Sequence, residues 1–302
     1  MPSRAEQGKG ERLAGQCPLL GWLARSACDP KADNPFLFAA RSAVPSGLGS
    51  AHHWRVRVAI ISDIHANAVA LGVALDAIRR ESVDEIVCLG DVASDGPQPR
   101  ETVRLVEQLQ GPVIMGNADA QLLGLEPEIA DPALEPFNRA SRWCASMLEP
   151  DERAFLASFA PRLTLDCEGT ALSLFHGSPR SFNDEIYPTT SDEALRAFLA
   201  DYPAAVHVGG HTHFQVVRRI DESTFVNPGS IGMAYDRTRG APGEIRFAAW
   251  AEFAILQLSA SGWDVCLRRA PFDVGQHIAA IRSSGMPDAD WWSSAWKVAA
   301  GL

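Results

Sequence analysis

Polar side chains that can bind metal ions follow three successive apolar segments in the first half of the chain. Asp63 and His65 follow the run 56–61, Asp91 follows the second segment and Asn117 follows the third. Because the carboxyl ends of parallel strands meet at one edge of a sheet, we expect these side chains to lie close together. A lone Asp-x-His pair is more often a helix cap than a metal site. Side chains of metal-binding type at three successive strand ends favour metal binding.

Histidines follow two apolar runs in the second half of the chain. His176 ends one run, and on its own it fits a hydrogen-bonded core histidine better than a ligand. His211 and His213 follow two glycines, Gly209 and Gly210, that let the backbone turn sharply. Carboxylate and amide oxygens together with imidazoles suit Mn, Fe, Zn or Ni better than calcium or copper. The sequence therefore predicts a site for divalent transition-metal ions.

Alternating strands and helices position the first of these residues. The patterns predict strands at 56–61, 85–89 and 112–115, separated by helices at 68–80 and 100–109, with Asn67 as the cap of the first helix. This β-α-β-α-β order is typical of parallel strands joined by helical crossovers. Residues 132–159 are predicted to be mainly helical. Further strands are predicted at 162–166, 170–175, 205–208, 215–220, 246–258 and 265–269, several of them in antiparallel hairpins.

Residues 1–54 differ in composition from the rest. They are rich in Gly, Pro, Ser, Arg and Ala and lack helical or strand periodicity, so we predict a poorly ordered extension before a single domain at 55–302. A start of translation near Val56 is an alternative hypothesis. No segment has the run of about 18 apolar residues that a membrane span needs. The chain has 6 cysteines without a Cys-x-x-Cys pair, which indicates reduced thiols and a cytoplasmic protein.

The acidic composition limits the classes of partner. A formal charge of −10 and the absence of a basic cluster argue against binding of extended nucleic acid or anionic membranes. The chain also lacks a phosphate-binding Gly-x-x-x-x-Gly-Lys loop, a His-Glu-x-x-His helix and a Gly-x-Ser-x-Gly elbow. An anionic substrate must therefore be attracted by a local positive centre such as a metal cluster. Homo-oligomerisation stays open.

The order of these blocks resembles the signature of the calcineurin-like metallophosphoesterase superfamily. The blocks are Asp63-x-His65, Gly90-Asp91, Gly116-Asn117, His176 and Gly210-His211-x-His213. Residues 226–230 and 269–287 are similar to the small bacterial phosphodiesterase branch. The resemblance covers residues 56–287. It implies a four-layer αββα sandwich of two mixed β-sheets flanked by helices, with a metal pair at one edge.

The resemblance also implies a role for each ligand. Asp63, His65 and His213 would hold one metal ion, and Asn117, His176 and His211 would hold the other. Asp91 would bridge the two ions. Two cations about 3.5 to 4 Å apart lower the pKa of a water between them, and the resulting hydroxide attacks phosphorus. Asp91, Asn117 and His211 are accordingly the predicted catalytic residues of a phosphoesterase.

One position departs from the family pattern. Members that act on phosphomonoesters usually carry a histidine after Gly-Asn, whereas this chain has Ala118 followed by Asp119. Without a positioned acid, a step that needs one slows by about 10²- to 10⁴-fold. We therefore expect activity on phosphodiesters with good leaving groups. A phosphomonoesterase and a non-catalytic scaffold are the alternatives, and Asp119 could act as an acid only with a strongly raised pKa.

Two residues are predicted to bind a small phosphorylated substrate. Asn67 follows the first metal-binding block, with helix capping as the alternative role, and Arg237 follows the loop at 227–232. Arg237 and Arg239 can hold phosphate through their guanidinium groups, although exposed arginines are more often merely solvated. The helical segment 134–159 is the predicted cap over the site. Three tryptophans near the C-terminus (Trp291, Trp292 and Trp296) are predicted to pack on the domain.

Overall fold

Two mixed sheets form the centre of the fold. The structure is a computed structural model and describes residues 56–167, 169–236, 246–259, 262–296, 299 and 301. The strands are β1 (Val56–Ile61), β2 (Glu85–Cys88), β3 (Leu163–Cys167), β4 (Thr170–Leu174), β5 (Val206–Val208), β6 (Gln215–Ile220), β7 (Ser223–Pro228), β8 (Trp250–Ser259) and β9 (Gly262–Pro271). The first sheet has the order β2-β1-β8-β9, and the second has the order β3-β4-β5-β7-β6.

Helices occupy the segments between the strands. They are α1 (Ala68–Arg79), α2 (Pro99–Glu107), α3 (Asn117–Leu122), α4 (Glu135–Met147), α5 (Pro150–Ala157), α6 (Asp192–Leu199), α7 (Val274–Ser284) and α8 (Ala289–Trp296), with a 3₁₀ turn at Pro132–Leu134. Among the described helices, none combines the length and the apolar character that crossing a bilayer requires.

The side chains of β1 explain the layer order. Val58 and Ile60 point into an apolar cluster shared with the second sheet, whereas Ala59 and Ile61 point into the cluster formed with the helices. Alternate residues of a strand face opposite sides, so a strand that is buried on both faces reads as a continuous apolar run. This explains the sequence of β1 and confirms the predicted αββα sandwich.

Helices cover the outer face of each sheet. Leu71 and Ile78 of α1 belong to the outer cluster of the first sheet, together with Trp292 and Trp296, each 1% exposed. Leu195 and Leu199 of α6 pack with Phe225 outside the second sheet. The predicted packing of these two tryptophans is confirmed, and Trp291 packs partly buried against the same cluster.

The pairing of the strands confirms the predicted parallel strands and the predicted antiparallel hairpins. β1 and β2 are parallel, while β3–β4 and β8–β9 are antiparallel hairpins. The strand predicted at 112–115 was wrong: Val113 and Ile114 make only isolated bridges to Cys88 and Ala160. Pro112 has no N–H and cannot donate to a ladder, which keeps this segment from pairing along its length.

Other boundaries also differ from prediction. The strand predicted from residue 246 begins at Trp250, and the sequence patterns missed α3, α6, β7 and α7. Of the predicted reduced cysteines, Cys88, Cys144, Cys167 and Cys266 are thiols rather than disulfides in the part of the chain that the structure describes. The predicted extension 1–54 and the predicted substrate residue Arg237, with its neighbour Arg239, lie outside the described residues.

Candidate functional site

The predicted ligands meet at the ends of strands from both sheets. The first ligand group is Asp63, His65 and His213, and the second ligand group is Asp91, His176 and His211. In each group, one ligand atom per residue lies within 4.8 Å of the others. The side-chain oxygen of Asn117 lies 3.0 Å from Nε2 of His176, beside the second group. All residues predicted as metal ligands are therefore close together.

Each aspartate has one oxygen fixed by the backbone and one directed at the histidines. Asp63 Oδ2 accepts from the His211 N–H at 3.1 Å, while buried Oδ1 has no hydrogen-bond partner and lies 3.2 Å from His213 Nε2. Asp91 Oδ1 accepts from the Ala118 N–H at 2.9 Å. Asp91 Oδ2 lies 3.2 Å from His176 Nε2 and 3.8 Å from His65 Nε2, between the two groups. That carboxylate can therefore bridge two ions.

Backbone carbonyls orient two of the imidazoles. His176 donates from Nδ1 to the Leu89 carbonyl at 2.7 Å, and His213 donates from Nδ1 to the Met233 carbonyl at 2.9 Å. Such contacts fix the tautomer that leaves Nε2 with a lone pair for a metal ion. His65 Nε2 and His213 Nε2 are only 3.1 Å apart. Two lone pairs repel at that distance unless a proton or a cation lies between them, so the donor set fits divalent ions.

The buried charges of the cluster shift the pKa values of its members in both directions. Burial disfavours ionisation of Asp63, but the neighbouring histidines, His213 foremost, lower its pKa. Burial likewise opposes a charged His176, yet the carboxylates of Asp91 and Asp63 raise its pKa to about 10. Burial and the charge of His176 lower the pKa of His211 to about 4. Metal ions must displace protons from such histidines, so binding strengthens as the pH rises.

The ligands stand on strained backbone. Asp63, His65, Asp91, His211 and His213 have φ values of 55°, 46°, 53°, 67° and 56°. This left-handed region costs an L-residue about 1–2 kcal/mol, although Asp and His tolerate it better than bulky residues do. Such conformations persist where the surrounding structure holds them, which is common at binding and catalytic sites.

Glycines before the ligands allow the loops to approach each other. A Cβ at Gly116 would lie 2.1 Å from Asp91 Oδ1, and one at Gly210 would lie 2.2 Å from Ser62 Oγ and 2.8 Å from Asp63 Oδ2. Gly90 has a φ of 97° and packs against the backbone of Gly116. The glycine in each of these blocks is therefore a steric requirement of the site.

Asp119 supports the loop that carries Asp91. Its Oδ2 accepts from the N–H groups of Asp91 at 2.7 Å and Gly116 at 3.2 Å, and its Oδ1 accepts from the Val92 N–H at 2.8 Å. Burial and the charge of Asp91 raise its pKa to about 7. The side chain is 0% exposed, and both of its oxygens face the backbone. These contacts argue against the role of leaving-group acid that the sequence left open for it.

Asn67 uses its amide inside the protein. It caps α1 by accepting from the Ala70 N–H at 3.0 Å, and it donates to the Gly232 carbonyl at 3.1 Å. The side chain is 1% exposed. The helix-capping alternative describes these contacts, and its substrate-binding role stays a prediction.

Two neighbours of the ligands escaped the sequence analysis. Asp95 Oδ2 lies 3.3 Å from Nδ1 of His65. The ring of Tyr235 stacks on His213, with a centroid distance of 5.3 Å and an interplanar angle of 23°. A second acidic residue within the loop after β2 was an available signal for Asp95, whereas no local pattern indicates Tyr235.

Comparison with known proteins agrees with this geometry. Residues 56–250 match the sequence model of the calcineurin-like phosphoesterase superfamily domain. The crystal structure of a metallophosphoesterase from Sphaerobacter thermophilus is 27% identical, with a TM-score of 0.62, and the match covers 82% of this chain and 99% of that one. A hypothetical protein from Pyrococcus horikoshii OT3 shares the fold, with 19% identity, a TM-score of 0.65 and coverage of 79% and 96%.

A relative in Methanocaldococcus jannaschii, an uncharacterized protein, is 27% identical over 200 residues, which are 59% of this chain and 77% of the relative. The family match begins at β1 and extends past His213, so it contains both ligand groups. By that match, the chain belongs to the calcineurin-like phosphoesterase superfamily.

Proposed function

We propose that this protein is a dinuclear-metal phosphoesterase that favours phosphodiesters. Membership of the superfamily supports hydrolysis of phosphate esters as the reaction class. The observation that carries the proposal is the position of Asp91 Oδ2 between the imidazoles of His65 and His176. When bound, two divalent cations supply a water of lowered pKa as nucleophile and neutralise charge on the phosphate oxygens.

The ligands divide between the two ions by proximity. Asp63, His65 and His213 would hold the first ion, His176, His211 and Asn117 would hold the second, and Asp91 would be shared between them. The unpartnered Oδ1 of Asp63 supports the first set, because a buried carboxylate oxygen without a donor is costly unless a cation neutralises it. His211 is the one histidine of the two ligand groups that is not fully buried, which supports contact between it and a substrate phosphate.

The chemistry of the donors favours Mn, Fe, Zn or Ni over harder cations. Histidine nitrogens are the majority donors in the first ligand group and in the second. Imidazole suits these metals, whereas magnesium and calcium prefer all-oxygen sites. Manganese is one candidate within this set.

The preference for diesters rests on the loop after Asn117. Ala118 has no ionisable group, and the Asp119 carboxylate is bound by three backbone N–H groups. Neither residue offers a proton to a departing alkoxide, so esters with stable leaving groups are favoured. The formal charge of −10 also disfavours approach of a dianionic monoester more than that of a monoanionic diester.

The proposal extends to the partner and the location. The substrate is a small phosphorylated molecule, held in part by Arg237 and Asn67, and no membrane or extended nucleic acid is involved. The protein works in the cytoplasm. Assembly into a homo-oligomer is compatible with each of these points.

Turnover of two model substrates tests the proposal. Protein reconstituted with Mn(II), Ni(II) or Zn(II) should hydrolyse bis(p-nitrophenyl) phosphate faster than p-nitrophenyl phosphate. His176→Ala should abolish this turnover. His207→Gln is the matched control, because His207 is also a buried histidine but belongs to neither ligand group. A strong preference for the monoester would indicate the phosphomonoesterase alternative. Fewer than one metal equivalent after reconstitution would indicate the scaffold.

A further inference from the structure

The two ring nitrogens of His65 face different partners. Nε2 faces the ligand cluster, whereas Nδ1 lies 3.3 Å from Asp95 Oδ2. His65 and Asp95 are each 6% exposed, so little water competes for this contact. A carboxylate that accepts from the far nitrogen of a metal-binding histidine fixes the ring and makes the other nitrogen a stronger ligand.

The partner that orients His65 is a carboxylate, whereas His176 and His213 are oriented by backbone carbonyls. His176 and His213 donate from Nδ1 to the backbone carbonyls of Leu89 and Met233, which carry no net charge. The Nδ1 of His65 faces a charged side chain instead. Charged acceptors form hydrogen bonds roughly twice as strong as neutral ones.

A hydroxyl competes for the same nitrogen without replacing the carboxylate. Ser94 Oγ lies 3.4 Å from His65 Nδ1, at the outer limit of a hydrogen bond, and it is neutral.

Helix α4 holds Asp95 in place. Ser141 Oγ donates to Asp95 Oδ1 at 2.9 Å, so the two carboxylate oxygens face different partners. Asp95 has a φ of 61°, a left-handed conformation that needs support from its surroundings. One helical turn after Ser141, the thiol of Cys144 donates to the Gly96 carbonyl at 3.4 Å. The helix is therefore joined to the loop at two points, and Ser141 provides the one that reaches the Asp95 carboxylate.

We propose that Asp95 is a positioning residue for His65, and that Ser141, Asp95 and His65 form a relay from α4 to the first ligand group. This inference rests on the proposed function, because it assigns Asp95 a task only if the first ligand group binds an ion. The relay gives His65 its orientation and its donor strength. The relay makes the metal affinity of the first ligand group depend on α4. It does not connect α4 to the second ligand group.

The relay has a measurable cost when it is broken. Removing an outer partner of a metal-binding histidine typically weakens metal binding by about 10- to 100-fold. Asp95→Ala should weaken metal binding in the first ligand group by this factor. Asp95→Asn keeps an oxygen acceptor without the charge and should fall between Ala and wild type. Ser141→Ala frees one carboxylate oxygen and should weaken binding by only a few-fold.

The experiment first isolates each ligand group in its own background variant and then adds the Asp95 substitution. A His211→Ala background retains the first group, and a His213→Ala background retains the second. Equilibrium dialysis against Mn(II) or Zn(II) then gives an affinity for each group with and without Asp95→Ala. Cys144→Ala is the matched control, because it removes the other contact between α4 and the loop and leaves the Asp95 carboxylate with its contacts to Ser141 and His65.

If the relay operates, Asp95→Ala weakens metal affinity by about 10- to 100-fold in the His211→Ala background and does not change it in the His213→Ala background. Cys144→Ala should keep the affinity of its parent background. Equal weakening in both backgrounds would overturn the relay, and so would a Cys144→Ala protein as weak as Asp95→Ala. Failure of the proposed function would give a different result. Wild-type protein would then retain no metal ion at all, which overturns both proposals before any Asp95 variant is compared.

Discussion

Replacement of Asp119 by asparagine separates a supporting role from an acid role. The ionised carboxylate accepts three backbone N–H groups, from Asp91, Val92 and Gly116, at 2.7, 2.8 and 3.2 Å. An asparagine has one oxygen and can accept at most two of them. Its amide NH₂ must then face the remaining N–H, and both donors are buried without an acceptor.

The cost follows from these contacts. A buried donor left without a partner costs about 1–3 kcal/mol, and a hydrogen bond to a charged group is worth about 1.5–3 kcal/mol. The substitution also removes a buried charge next to Asp91, which offsets part of the loss. We expect Asp119→Asn to lower the free energy of unfolding by about 1–3 kcal/mol. Urea unfolding of metal-free protein at pH 8, above the raised pKa of about 7, measures this difference.

Activity provides the second measurement. If Asp119 only supports the Asp91 loop, Asp119→Asn should slow hydrolysis of a series of aryl phosphodiesters by one common factor, from p-nitrophenol to phenol as leaving group. An acid would show a different pattern, because its loss costs most, up to about 10²- to 10⁴-fold, where the leaving group is poor. Unchanged stability together with a loss confined to the phenol ester would refute the supporting role.

Three further predictions concern stability and the metal site. Burial lowers the pKa of His277 to about 3, so the stability that a neutral His277 provides above pH 6.5 is lost as the pH falls towards 3. The loss amounts to about 2 kcal/mol of unfolding free energy at pH 5. His277→Leu should flatten this pH dependence in urea unfolding measured from pH 7.5 to 4. Gly210→Ala should leave the secondary structure intact by circular dichroism yet lose at least one metal equivalent, since its Cβ would lie 2.8 Å from Asp63 Oδ2. Reloading stripped protein with metal at 100 times the dissociation constant should raise the unfolding free energy by about 2.7 kcal/mol per ion, and an unchanged melting temperature would contradict this.

The sequence was sufficient to predict the central strands and the convergence of the candidate ligands. The run Val56–Ile61 is apolar on both faces because β1 is buried between the helices and the second sheet. A polar residue at the end of such a run must lie at the sheet edge, so Asp63 and Asp91 could be assigned to one site without coordinates. The same reasoning needs no knowledge of loop conformation, which is why it succeeded.

Local signals also existed for one helix that was missed. Asp273 caps α7 by accepting from the Gln276 N–H at 3.1 Å, and Gly285 ends it in a left-handed conformation with a φ of 81°. Both residues are standard start and stop signals. The strand β7 is different, because its assignment depends on pairing with β5 and β6. Such non-local pairing cannot be inferred from the segment itself.

Asp95 illustrates what no sequence pattern supplies. Its contact with His65 depends on a left-handed φ and on a serine of α4, 46 positions further along the chain. Periodicity describes residues within one element, whereas this contact joins two loops and a helix. Orienting residues of this kind become visible only when the loop conformations are known.

The loops that carry the ligands also support each other, which has a consequence for every variant in the site. Asp63 donates its N–H to the Gly90 carbonyl at 3.0 Å, and His65 donates its N–H to the Asp91 carbonyl at 2.9 Å. These bonds hold the left-handed residues of one loop against the next. A substitution that moves the Asp91 loop must therefore move both ligand groups, so variants there should be strongly non-additive with variants of His65. Asp95 belongs to the same loop, but its side chain takes no part in these backbone bonds and contacts His65 at Nδ1, so loss of the carboxylate leaves the bonds between the loops in place and its effect is confined to the first ligand group.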